Sequence, residues 1–105
     1  MKTYRVVFSR GMSEDVMELE DYITIEASRE IAENFVDGLV QECESLWVAP
    51  YRGTKRRYLK PNMRIIGFKH AVSILYRVEK DEQLVVFLGI SYRGRSIERI
   101  LARDE

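Results

Sequence analysis

The stretch MRIIGFKHAVSILYRVEKDEQLVVFLGISY, residues 63–92, decides the fold, because within it the hydrophobic period becomes two. Met63–Phe68, Val72–Glu79 and Leu84–Tyr92 are rich in Ile, Val, Phe and Tyr, which suit a pleated, half-buried surface. Lys69–Ala71 and Lys80–Gln83 separate them, and connections of that length join antiparallel neighbours. The reading is three consecutive strands in a meander.

Upstream, the period is helical. Met12, Val16, Leu19 and Ile23 recur at spacings of four, three and four, the apolar stripe of a helix ending around Ile25. Ser13, followed by Glu14 and Asp15, reads as its N-cap with acids in the first turn. Ala32, Phe35, Leu39, Cys43 and Leu46 form a second stripe, with Ser28 as candidate cap. The connection Glu26–Ser28 is so short that the two helices form an antiparallel hairpin. Before them, Thr3–Phe8 alternates as a strand, and Ser9–Met12, containing Gly11, breaks it. Pro50 and Gly53 stop the helical pattern, and Pro50–Asn62 is basic, aromatic and irregular. Ile97, Ile100 and Leu101 mark a last short helix. The fold class is α+β: strand, helical hairpin, then a three-stranded antiparallel meander with the hairpin packed on one face of the sheet.

At 105 residues, 46% apolar and 32% charged, the chain reads as a single globular domain spanning 1–105. No apolar run approaches the roughly 20 residues that cross a bilayer. Charges occupy the place where a signal peptide needs its apolar stretch, so a cytoplasmic protein is expected. One cysteine, Cys43, excludes an internal disulfide framework, and with one histidine, His70, it cannot supply a zinc cage. The 17 basic and 17 acidic residues cancel, yet they are divided. Residues 1–49 hold 4 basic and 11 acidic side chains, residues 50–105 hold 13 and 6. The basic half is built to attract something anionic, either nucleic acid or an acidic stretch of protein.

Phosphate-binding glycine loops, paired-cysteine metal signatures and nucleophile elbows are absent from the sequence. His70 reads as a plain turn residue and Cys43 as a buried thiol. Trp47, beside Pro50 and Tyr51, most simply plugs the end of the hairpin; the alternative is an exposed anchor for a partner. Tyr51–Lys60 interleaves basic and aromatic side chains, a pattern that grips phosphate and stacks bases, or equally serves as a solvated loop or meets an acidic peptide.

Taken in order, these segments resemble the RelE/ParE superfamily of toxins from bacterial type II toxin–antitoxin (plasmid stabilisation) modules, and the ParE branch in particular. The resemblance runs from YRVVFS through SEDVMELEDYI, SREIAENFVDGLVQECESL and LKPNMRIIGF to VSILYRVEKDEQLVVFLGI and LGISYRGRSIERIL. Arg64 occupies the family's recurrent arginine, Ser96 stands where an aspartate is usual, and Arg93 where a glycine is common. The resemblance implies a non-enzymatic toxin that inhibits DNA gyrase and blocks replication. Its binding surface for target and antitoxin would comprise Lys55, Arg56, Arg64, Tyr92 and Arg95. No cofactor or metal is implied. A cognate antitoxin, through an acidic, amphipathic C-terminal segment, would form a hetero-oligomer with it and supply the operator-DNA binding that the toxin alone lacks. RelE-like relatives instead cut messenger RNA on the ribosome with lysines, arginines and a C-terminal tyrosine or histidine. The tail Arg93–Glu105 has neither a tyrosine nor a histidine, which favours the non-nucleolytic branch. A toxin fold whose toxicity has decayed, leaving antitoxin binding alone, is the third reading.

Overall fold

The structure, a computed structural model, describes residues 2–103. Strand β1 (Arg5–Phe8) leads into helices α1 (Arg10–Glu26) and α2 (Arg29–Glu44), then a 3-10 turn, Ser45–Trp47. After an irregular segment come β2 (Met63–Phe68), β3 (Val72–Glu79), β4 (Leu84–Ser91) and helix α3 (Ile97–Arg103). The sheet order is β1-β4-β3-β2. The meander is antiparallel, as its turns require, and β1 joins β4 in parallel, with Arg5 beside Leu84 and Phe8 beside Phe87.

Both helical stripes face the sheet. Met12, Leu19, Leu39, Cys43 and Leu46 meet Ile66, Ile74, Tyr76, Val85, Phe87 and Ile90 in the main core. Strand alternation sends Met63, Leu75, Val86 and Leu88 to the opposite face, where Leu59 and Ile100 cover them. The tail helix α3 therefore packs across the side of the sheet away from the hairpin.

Two local expectations change, the cap of α1 and the place of Trp47. The cap of α1 is Ser9, whose Oγ accepts the Met12 amide at 3.0 Å, so the helix starts before Ser13. Gly11, which ends the strand pattern, lies inside its first turn with the Arg103 guanidinium against it; a Cβ there would sit 3.0 Å from Arg103 Nε. Trp47 does not plug the hairpin: Leu46 is buried there, and Trp47 is 52% exposed.

Candidate interaction surface

The short β1 leaves the outer edge of β4 without a strand beyond Phe87, so its backbone needs other partners. Side chains from three elements supply them. Leu88 O accepts from Ser9 Oγ and from Arg103 Nη2, and Ile90 O accepts from Arg99 Nη2. The Ile90 amide donates to Asp15 Oδ2 at 3.0 Å. Asp15, only 1% exposed on the buried side of α1, receives a two-pronged bond from Arg103 at 2.6 and 3.1 Å. Burial opposes its ionisation, but the Arg103 bond, the Ile90 amide and both guanidinium charges outweigh it, and the carboxyl stays below its ordinary 3.8. Gly89 is what lets this ion pair lie against the strand: a Cβ would come within 2.6 Å of Arg103 Nη2 and 2.8 Å of Asp15 Oδ2.

Just past this edge the chain turns at Tyr92–Arg95, with Arg93 and Gly94 both at positive φ and the Arg95 amide bonded to Tyr92 O. The turn lays two guanidiniums on two tyrosine rings. Arg93 stacks 4.8 Å above Tyr22 and donates to its hydroxyl; Arg95 stacks 5.1 Å above Tyr92 and binds Glu18 at 2.9 Å. The Tyr22 and Tyr92 rings are themselves in contact, 6.1 Å apart. These side chains, with Asp21 and Ile25 of α1, line an open groove of about 500 Å³. Burial, with the charges of Glu18 and Asp15, pushes the Tyr92 phenol above its ordinary value against the pull of Arg95 and Arg99.

The other expected residues lie elsewhere. Arg64 faces Tyr76 across the ladder, and Tyr76 faces Phe87; Tyr92 is five residues beyond Phe87, about 16 Å along the strand at the usual rise. There Arg64 Nη1 donates to the carbonyls of Tyr51 and Gly53, at 3.0 and 2.9 Å, and its guanidinium stacks on the Tyr51 ring. The buried Tyr76 hydroxyl donates to Pro50 O at 2.8 Å and accepts the Gly53 amide at 2.9 Å. Thr54 then pairs with Ile65 on the outer edge of β2. Lys55 and Arg56 follow on this pinned strap, both exposed. Tyr92 and Arg95 thus form one cluster, and Lys55, Arg56 and Arg64 another.

Sequence reasoning passed over Asp15, Glu18, Tyr22, Tyr76, Arg99 and Arg103. One signal was present: a glycine at 89 inside an apolar strand marks a close approach. Among the described residues no group of three His, Cys, Asp or Glu side chains is placed to hold a metal ion. No helix there is long and apolar enough to cross a membrane. Cys43 is buried, and burial, with the charges of Glu42 and Glu44, pushes its thiol up to about 12.

The fold is shared with solved toxin structures. A chain of the chromosomal ParDE TA system from Pseudomonas aeruginosa superposes with a TM-score of 0.73 at 19% identity, over 86% of this chain and 96% of that one. The Mycobacterium tuberculosis RelBE2 toxin–antitoxin complex gives 0.64 at 22% identity, over 90% and 95%. A mutant of the Escherichia coli toxin RelE in the free state gives 0.67 at 14%, over 95% and 92%. Curated protein sequences gave no significant match. The model of the family described as ParE toxin of the type II toxin–antitoxin system, parDE, matches residues 6–97, nearly the whole described fold, and the chain belongs to that family.

Proposed function

We propose that this toxin acts as ParE-branch members are expected to, by binding DNA gyrase and stalling replication, and that a cognate antitoxin neutralises it. The observation that carries the reading is the composition of the 92–95 groove. Its two guanidiniums are already engaged by Glu18 and Tyr22, and Glu18 and Asp21 place two carboxylates beside them. A groove with balanced charge and aromatic walls suits a protein surface; a polyanion would meet the carboxylates and gain little. The phenol of Tyr92 is pushed further from neutrality, and His70 lies on the separate turn between β2 and β3. That is a poor set for moving protons during RNA cleavage. Solved relatives described as ParDE and RelBE2 systems support an antitoxin as partner.

A supercoiling assay with purified gyrase tests this. Addition of the toxin should inhibit supercoiling and accumulate cleaved DNA, and Arg95→Ala should weaken both about tenfold or more, since the stacked, ion-paired arginine is of the hot-spot type. Unimpaired gyrase, together with cut transcripts in a translation extract, would move the protein to the ribosome-dependent branch.

A further inference from the structure

The turn that carries Arg93 and Arg95 is short, exposed and conformationally costly. Arg93 has φ at +52°, a region that residues with a side chain seldom enter, and Gly94 follows at +80°. Such a backbone keeps its shape only where its surroundings over-determine it. The contacts inside the groove are too weak for that. In the Arg95–Glu18 pair the two side chains are 40% and 55% exposed, and an ion pair in that much water contributes little. What holds the turn lies on either side of it. Two residues before Tyr92, Ile90 is gripped at both backbone groups, its amide by Asp15 Oδ2 and its carbonyl by Arg99 Nη2, each at 3.0 Å. Four residues after Arg95, Arg99 also reaches Asp15 Oδ1 at 3.5 Å, and Arg103 clamps the same carboxylate from one turn further along α3. One buried carboxylate thus closes the base of the loop. Asp15 stands three residues before Glu18 and seven before Tyr22, spacings that put all three on one face of α1. By fixing α1 against Ile90, Asp15 also fixes the partners of Arg95 and Arg93.

We infer that Asp15, with Arg99 and Arg103, is the positioning group of the 92–95 groove: it sets the turn in the shape that meets the target. At 1% exposure Asp15 cannot touch the target itself, so it acts through Arg93 and Arg95. The inference rests on the gyrase reading and deepens it by naming residues behind the contact surface. The composition of this latch favours position over stability. Burying a carboxylate forfeits solvation that its partners do little more than offset, and a well-packed apolar cluster commonly holds a fold as well or better. Arg99 Nε is buried and, among the described residues, finds no hydrogen-bond partner, a cost that an aliphatic side chain there would not incur. An apolar contact between α1, α3 and β4 would tolerate sliding. Charge-assisted bonds of 2.6–3.1 Å, fixed in direction, do not. Gly89 follows the same logic, because it gives up a side chain within an apolar strand so that the ion pair can lie against the backbone.

The test compares Asp15→Asn and Arg99→Gln with Val78→Ala, a core substitution at the other end of β3, where Val78 pairs with Val85. Thermal melting followed by circular dichroism ranks the variants and sets an assay temperature at which all are folded. In a gyrase supercoiling assay, the toxin concentration giving half-inhibition should rise about tenfold or more for each latch variant, since a loosely held site loses much of its binding. For Val78→Ala it should stay at the wild-type value. Nuclear Overhauser contacts from Arg95 to the Tyr92 ring and from Arg93 to the Tyr22 ring should weaken in the latch variants and persist in the control. Latch variants that inhibit at the wild-type concentration, or that keep both stacks, overturn the inference. An equal loss of inhibition in Val78→Ala also overturns it, because the effect is then one of stability alone. Wild-type toxin that leaves supercoiling unimpaired defeats the gyrase reading instead, and the dependence of the two stacks on Asp15 then decides the positioning claim by itself.

Discussion

Asp15 stands in the apolar stripe of α1, and two arginines from the far end of the chain make that position tolerable. Its carboxyl is held below 3.8 in the fold, so the ion pair adds stability above the unfolded value and loses it as pH falls through the folded one. Asp15→Asn keeps an acceptor for the Ile90 amide but leaves Arg103 and Arg99 unbalanced. Both arginines are about one-third exposed and can turn to water, so the expected cost is about 2 kcal/mol near neutrality, below that of a fully buried pair. Urea titrations across pH check the sign: the gap between wild type and variant should be widest near neutrality and close on acidification below the ordinary carboxylate range.

At the scale of elements, the turn between β2 and β3 is built from unfavourable material. Lys69 and His70 both sit at positive φ, near +52° and +55°, where hairpin turns favour Asn and Gly. Lys69 earns its place by setting its ammonium over the rings of Phe35 and Phe68, at 5.8 and 5.5 Å, which ties the turn to α2. His70 is exposed. His70→Gly should therefore raise stability by about 0.5–1 kcal/mol, read from the urea midpoint at constant m-value. The elements themselves were legible: period two gives β2 and β3 to the residue, and the two helical stripes give the hairpin. The starts were less so. Ser13 reads as the cap, yet Ser9 Oγ accepts the Met12 amide and the helix begins a turn earlier, with Gly11 lying against the Arg103 guanidinium.

Across the whole molecule, the division of charge in the sequence is partly stitched by ion pairs, Arg52 with Glu42, Arg95 with Glu18, and Arg99 and Arg103 with Asp15. The hairpin carries most of the acids; the strap and the residues after it carry most of the bases. An acidic partner approaching the excess of bases in residues 50–105 is steered by that field, so the association rate with the antitoxin proposed above should fall about tenfold between ~20 and ~200 mM NaCl, with dissociation far less affected; stopped-flow mixing measures both. The site residues expected from the sequence all lie in that basic half and divide into two clusters within it. Lys55, Arg56 and Arg64 were recognisable as a basic, aromatic stretch, and Tyr92 with Arg95 as a closing motif. Their separation was not legible, because it depends on register and on a crossover that puts β4 between β1 and β3. Asp15 and Arg103 are 88 positions apart, and nothing local in either links them. Trp47 occupies a helical position beside Leu46, and only the packed hairpin decides which of the two is covered.

The early end of β1 has one more consequence. At Ile90 the proton that a neighbouring strand would hold is held by a carboxylate. Solvent deuterium should therefore enter that amide faster as Asp15 is neutralised, while the amides of β3, clamped by carbonyls on both sides, stay slow. A single backbone position becomes a built-in gauge of whether the two termini of the fold are still fastened together.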